Sequence, residues 1–258
     1  MITDSFSTAS QPVITVASCV GEQKHIADTY IITFSNVIME AVLAAYPCEP
    51  AGRIRTCGGL TPIYVFPGSG GRKIGVCMAH TGSAMASSDV IEISWLIGAT
   101  QFVVFGSCGC LDRDRAQGKY IIPTAAYRDE GMSYHYAPPA DYIAMPGAET
   151  TARIFDRLGV PYVLGKTWTT DAFYRELRHQ MEARKKEGCL AVDMEAAGIQ
   201  AVCDFHGLGL YYFLQPGDVL DLPEWDVGDL SKANHSLDNF RVALHLAESL
   251  DPIPCGKD

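Results

Sequence analysis

Asp193 and Glu195 stand two residues apart at the end of the apolar run Gly188-Cys189-Leu190-Ala191-Val192, and beyond them Met194, Ala197, Ala201 and Phe205 recur at helical spacing. An apolar run that gives way to a 3.6-residue repeat marks a strand feeding a helix. The two acids therefore fall at a helix N-terminus, where unpaired amides favour negative charge and should keep at least one carboxylate ionised. An ionised carboxylate there is a good acceptor for the hydroxyl groups of a sugar. The same pair also fits a plain structural role as first-turn helix acids, and the residue types leave both readings open.

Other stretches place polar groups where strands should end. Gly106-Ser107-Cys108-Gly109-Cys110 follows the apolar residues 102–105. A serine nucleophile on an elbow needs Gly-x-Ser-x-Gly, and Phe105 occupies the first glycine position, so a serine hydrolase is excluded. Ser107 among small residues suits close approach of backbone and hydroxyl to an anion. Ala79-His80-Thr81-Gly82-Ser83 opens a helix and reads either as an anion-binding turn or as a turn alone. In Thr170-Asp171-Ala172-Phe173-Tyr174 an aromatic pair beside threonines could stack a planar base or simply pack the core. Gln215-Pro216-Gly217-Asp218 closes the last clear strand, and ligands of open α/β sheets sit at the carboxyl ends of strands. Residues 128–136 form a polar and aromatic loop of a kind that often lines sites.

The elements that must position these residues alternate between two periods. Strands are predicted at 30–34, 63–66, 73–78, 102–105, 118–126, 162–164 and 209–214, with a hairpin turn at Pro67-Gly68-Ser69-Gly70-Gly71. Helices are predicted after a cap at Ser35 or Asn36, after Ser83, near 150–158, after Met194, and at the end of the chain, where Leu237, Phe240, Leu244 and Ala247 share a face. Such alternation predicts a mostly parallel or mixed sheet sandwiched by helices. Residues 1–28 read as an arm on the surface or on a neighbouring subunit, and 29–258 as one domain.

The formal net charge is −10 with dispersed basic residues, which argues against nucleic acid or an anionic membrane as partner. No signal-peptide pattern opens the sequence and no apolar run has spanning length, so a cytoplasmic location is expected. Nine cysteines, an odd number, are then most simply thiols. None forms Cys-x-x-Cys, and Cys108-Gly109-Cys110 does not match structural zinc spacing, so no metal is expected.

Five stretches in one chain order resemble the nucleoside phosphorylase and uridine phosphorylase superfamily: Gly106-Ser107-Cys108-Gly109, Arg128-Asp129-Glu130-Gly131, Thr170-Asp171-Ala172-Phe173-Tyr174, Val192-Asp193-Met194-Glu195-Ala196-Ala197-Gly198 and Gly217-Asp218. The resemblance implies a three-layer α/β/α sandwich with a mixed, distorted central sheet, assembled as a homo-oligomer such as a trimer of dimers. It implies cleavage of the N-glycosidic bond of a purine or uridine nucleoside, with phosphate as co-substrate and no cofactor, to give free base and ribose 1-phosphate. Carried over, Glu195 would accept from the ribose hydroxyls, with Met194 under the sugar and Asp193, one methylene shorter than the family's usual glutamate, beside them. Phe173 would stack on the base, near Gly109 and Arg178. Ser107, with the Thr81-Gly82-Ser83 turn, would contact phosphate, and Asp218 would protonate the leaving base, a contribution typically worth about 10²–10⁴-fold.

The departures concern the anion. Val104 stands where the family commonly has a phosphate arginine, and Ile38 or a neighbour replaces a second. Arg55 matches the arginine that an adjoining subunit contributes, and Arg128 or Arg175 could substitute from another direction. Removing one preorganised donor to a transition-state anion costs about 3–4 kcal/mol. The uracil-reading Gln-x-Arg pair is replaced by Arg175-Glu176-Leu177-Arg178-His179, which with Asp218 tilts the reading toward purines. Arg178 keeps uracil open. A nucleoside hydrolase using water on the same fold is the second reading, since it needs no phosphate arginines. A non-catalytic nucleoside-binding protein is the third, and the presence of Glu195 and Asp218 argues against it.

Overall fold

Uncharged runs rich in β-branched and aromatic residues, such as Tyr30-Ile31-Ile32, cannot leave either face in water and form strands covered on both sides. The computed structural model describes residues 1–251, so the last seven residues of the expected domain, 252–258, lie outside the described residues. Its strands are β1 (Thr29–Thr33), β2 (Glu49–Thr56), β3 (Gly59–Pro67), β4 (Lys73–Met78), β5 (Gln101–Cys110), β6 (Tyr120–Asp129), β7 (Tyr142–Ala144), β8 (Tyr162–Thr170), β9 (Cys189–Asp193) and β10 (Gly209–Val219). Its helices are α1 (Val16–Val20), α2 (Asn36–Ala45), α3 (Ser83–Ile97), α4 (Arg113–Ala116), α5 (Ser133–Tyr136), α6 (Gly147–Leu158), α7 (Arg178–Lys186), α8 (Ala196–His206), α9 (Leu230–His235) and α10 (Leu237–Glu248).

All strands join one mixed sheet in the order β10-β6-β8-β9-β5-β1-β4-β3-β2, with β7 beside β6. A further pairing of β10 with β5 closes β5, β10, β6, β8 and β9 into a ring, which is the form the expected distortion takes. Helices α3 and α8 cover one side of the sheet around Val90, Ile93, Ala197 and Ile199. Helices α2, α6 and α10 cover the other around Val42, Phe155 and Phe240. The three layers and the mixed sheet are those expected. Gly198 sets the α3–α8 separation, since a Cβ there would lie 2.9 Å from Ser83 Cβ and Ser87 Oγ.

Several boundaries differ from the sequence expectation for one reason. Gly106-Ser107-Cys108-Gly109 and Gln215-Pro216-Gly217-Asp218 read locally as turns, yet β5 and β10 pair in parallel through both, with Gln215 opposite Ser107 and Asp218 opposite Gly109 across a bulge. Ladder partners hold glycine-rich chain extended where local chemistry alone would turn it. Asp218 is therefore a strand residue displaced by a bulge, not the end of a glycine turn. For the same reason β8 runs on to Thr170 beside β6. Strand β2 and helices α7 and α9 were not expected. Helix α7 reads Arg178-His179-Gln180-Met181-Glu182-Ala183-Arg184-Lys185-Lys186, and only Met181 is buried.

Within the N-terminal 28 residues, Trp95 Nε1 of α3 donates to the Gly21 carbonyl at 2.7 Å and the Ile26 amide donates to Ile97 at 2.6 Å. The segment from Gly21 to Ile26 thus lies along helix α3 of its own chain. Among the described residues no helix is long and apolar enough to cross a membrane.

Candidate active site

The β9–α8 junction is built by Asp193. Its Oδ1 accepts from the Thr167 hydroxyl at 3.0 Å and the Thr169 hydroxyl at 2.8 Å. Its Oδ2 accepts from the Ala196 amide at 2.7 Å, the Glu195 amide at 3.2 Å and the Tyr212 hydroxyl at 3.3 Å. Five protein donors on one buried carboxyl group cap helix α8 and tie it to β8 and β10. Asp193 thus braces the junction, its oxygens already engaged by five protein donors, while it also lines the cavity around Glu195.

Glu195 has the other role. It is buried, lines a cavity of about 350 Å³, and accepts the Gly82 amide on Oε1 at 2.7 Å. Burial, reinforced by the charge of Asp193, pushes its carboxyl up to about 7, against the pull of the Gly82 and Met194 amides. At Glu195 a helix dipole worth about 0.3–1 kcal/mol is outweighed by desolvation in the site.

The same cavity is lined by Ser107, Gly109, Phe173, Asp193, Met194 and Asp218, so the structure brings seven of the expected residues together with Glu195 included. Its size falls in the range of about 300–1,000 Å³ common for small-molecule sites. Asp218 is buried and accepts the Trp225 indole N–H on Oδ2 at 2.7 Å. Gly109 is needed for this approach, because a Cβ would sit 2.6 Å from Leu220, 2.7 Å from Val192 and 3.6 Å from Asp218 Oδ1. The Phe173 ring is half exposed and meets Tyr174 edge-on at 5.0 Å.

The remaining expected contacts lie elsewhere. Ser83 is fully buried and donates to the Met194 carbonyl at 3.0 Å, and the Gly82 amide is occupied by Glu195, so these two groups brace the β9–α8 junction. Of the turn, Thr81 lines the cavity. Arg178 donates to the Pro223 carbonyl at 2.9 Å and lines an adjoining, more apolar cavity of about 540 Å³ with Phe173, Tyr174, Glu176 and Trp225. Arg55 is exposed on strand β2, away from both cavities. Val104 and Ile38 lie in the apolar cores. Arg128 is buried and held by Ser133 Oγ at 2.8 Å, the Pro138 carbonyl at 2.6 Å and the Tyr134 ring, so neither it nor the exposed Arg175 reaches the cavity. The loop at 128–136 folds on itself rather than over the site.

Sequence reasoning missed Asn234 and His235 of α9, Thr33 and Phe34 at the end of β1, and Glu176. Ser107 hydrogen-bonds Asn234 Oδ1, and His235 Nδ1 shares a 2.8 Å hydrogen bond with Ser35 Oγ, whose oxygen also caps α2 by accepting from the Ile38 amide at 3.2 Å. Helix α9 carries no apolar period that would have signalled it. Among the described residues lining the cavity none is lysine or arginine, whereas Glu176, Asp193, Glu195 and Asp218 are acids.

Comparison with known proteins places the chain in a family. A family model described as the phosphorylase superfamily matches residues 30–212. A purine nucleoside phosphorylase DeoD-type of Bacillus subtilis is 28% identical over 233 residues, covering 87% of this chain and 95% of its own. A second DeoD-type purine nucleoside phosphorylase, from Exiguobacterium sp., is 27% identical over 192 residues, 72% of this chain and 79% of its own. A guanosine phosphorylase of Halorubrum lacusprofundi is 28% identical over 141 residues, 54% of this chain and 58% of its own. Fold, cavity and relatives together mark an enzyme of the pentosyltransferase class. The chain belongs to the phosphorylase superfamily.

Proposed function

We propose that this enzyme cleaves the N-glycosidic bond of purine nucleosides and transfers the pentose to phosphate, giving free base and ribose 1-phosphate. One observation carries the proposal: Glu195, at the N-terminus of α8, and Asp218, on β10, line one cavity with Met194 and Phe173 beside them. Glu195 would accept the sugar hydroxyls, and Phe173 would stack on the base. As the C1′–N9 bond breaks, its electron pair passes to the purine, a proton from Asp218 neutralises the ring at N7, and a phosphate oxygen forms the new bond to C1′. Uridine, lacking that ring nitrogen, would gain nothing from Asp218. Phosphate would meet Ser107 and Thr81, with Arg55 supplied across a homo-oligomer interface from the exposed edge of β2.

A second reading, hydrolysis with water as acceptor, is favoured by the cation-free lining. A dianion entering among four acids is opposed by their charge, while water is not. Incubation with inosine, guanosine, adenosine and uridine, with and without phosphate, separates the readings by the sugar product. Ribose 1-phosphate from purine nucleosides supports the proposal, free ribose made without phosphate supports hydrolysis, and absence of turnover leaves only nucleoside binding.

A further inference from the structure

Asp218 stands between the inner and the adjoining cavity, and its two oxygens have different neighbours. Gly109 lines the inner cavity only and lies on the Oδ1 side, where a Cβ would be 3.6 Å from that oxygen. Trp225 lines the adjoining cavity and holds Oδ2 through its indole N–H at 2.7 Å. The tryptophan is 60% exposed on the loop after β10. That loop is folded back onto the strand: Val219 and Asp226 exchange backbone hydrogen bonds at 2.8 and 3.2 Å, and the Asp229 amide donates to the Gly217 carbonyl at 3.0 Å. Gly228 permits the approach, since a Cβ there would lie 2.5 Å from that carbonyl. A large ring left mostly in water on a pinned loop gains little from burial, so the hydrogen bond is the contact that its placement serves.

An indole N–H donates and cannot accept. With Oδ2 occupied by such a donor, a proton bound to Asp218 resides on Oδ1, the oxygen on the Gly109 side. Transfer to a base then starts from one oxygen in one orientation, not from a carboxyl group free to turn. As the proton leaves, Asp218 becomes negative, and a hydrogen bond to an ionised acceptor is roughly twice as strong as a neutral one. The indole therefore supports the charge that develops on Asp218 while the C1′–N9 bond breaks.

We propose that Trp225 is a positioning residue for the proton donor, its indole N–H holding Oδ2 of Asp218 so that the proton leaves from Oδ1 into the nucleoside cavity. The inference rests on the reading of Asp218 as the acid that protonates a leaving purine, and its test separates the two.

The test follows release of free base, whichever acceptor takes the pentose, from inosine and from 7-methylguanosine, whose N7 already carries a methyl group and a positive charge and needs no proton. Trp225→Phe keeps an aromatic ring and removes the N–H. It should lower kcat/KM for inosine by about 10-fold, the worth of one hydrogen bond to a charged group, and change 7-methylguanosine cleavage by less than about twofold, which also shows that the variant is folded. Asp218→Asn should lower inosine cleavage further, and Trp225→Phe added to it should cost inosine nothing more. Equal losses on both nucleosides, an undiminished inosine rate in Trp225→Phe, or a further loss in the double variant would overturn the role of Trp225 alone. Inosine cleavage undiminished in Asp218→Asn would overturn the proton-donor reading and Trp225 with it. Wild type that releases base from neither nucleoside would overturn both together with the proposed function.

Discussion

At the β9–α8 end of the cavity, five donors converge on Asp193 and the Gly82 amide fixes Glu195, whereas at the opposite end Ser107 is paired with Asn234 and His235 with Ser35, with no cation in the lining. The first end is rigid and acidic before any ligand arrives. The second is neutral, and its hydroxyl is engaged by the protein. The difference teaches that a single chain preorganises the group proposed to hold the pentose and leaves the acceptor's charge unbalanced. Either the acceptor is uncharged or its counter-charge comes from another subunit, for which the exposed Arg55 is the candidate.

The comparison breaks most severely at Asp193. Asp193→Ala removes the acceptor of five donors, and unsatisfied buried groups cost about 1–3 kcal/mol each. Chemical denaturation should show a loss of about 3 kcal/mol or more, with activity falling as the junction loosens. A variant as stable as wild type would show that the cap is dispensable.

Titration sharpens the same contrast. Glu195 and Glu176, ordinarily at 4.5, are both raised to about 7 by burial, so the folded chain binds protons between those values that the unfolded chain has released. These two groups therefore make the protein less stable as pH rises through that window, and the thermal midpoint should fall from pH 5 to pH 7. The ionised form of Glu195 is the better hydroxyl acceptor, so kcat/KM, which reports the free enzyme, should climb by about tenfold per unit below its carboxyl value and level off above it. A flat profile from pH 5 to pH 8 would contradict this.

The smallest effect is expected at Ser107. If phosphate is the acceptor, Ser107→Ala should raise its KM by about 2–10-fold, the worth of one hydrogen bond, and leave nucleoside binding in the absence of phosphate unchanged. If water is the acceptor, added phosphate should not alter the rate of either protein.

The contrast also marks what the sequence could convey. The β9–α8 junction was legible because an apolar run, two acids and a helical repeat are contiguous, and Asp218 because it falls in a fixed motif order. Asp193 and Glu195 could not be told apart, since their division of labour depends on Thr167, Thr169, Tyr212 and Gly82, all distant in the chain. Ser83 looked like an open polar turn, but Gly198 lets α8 close over it. The strand extensions through Gly106-Ser107 and Pro216-Gly217 depend on each other, so neither showed in its own residues. Asn234 and His235 reach the cavity only because α9 packs at the end of β10, and Glu176 only because a 3₁₀ turn follows Phe173.

The central claim is that Glu195 is a ligand-holding acid and Asp193 a structural one. Its most direct measurement is kcat/KM for a purine nucleoside in Glu195→Ala, taken with the thermal midpoint at neutral pH. Removing a preorganised transition-state contact should cost about 10²–10³-fold in rate, while the midpoint stays level or rises, because a buried, raised carboxyl is lost. Retained activity, or a loss of rate that only follows a falling midpoint, would contradict the account.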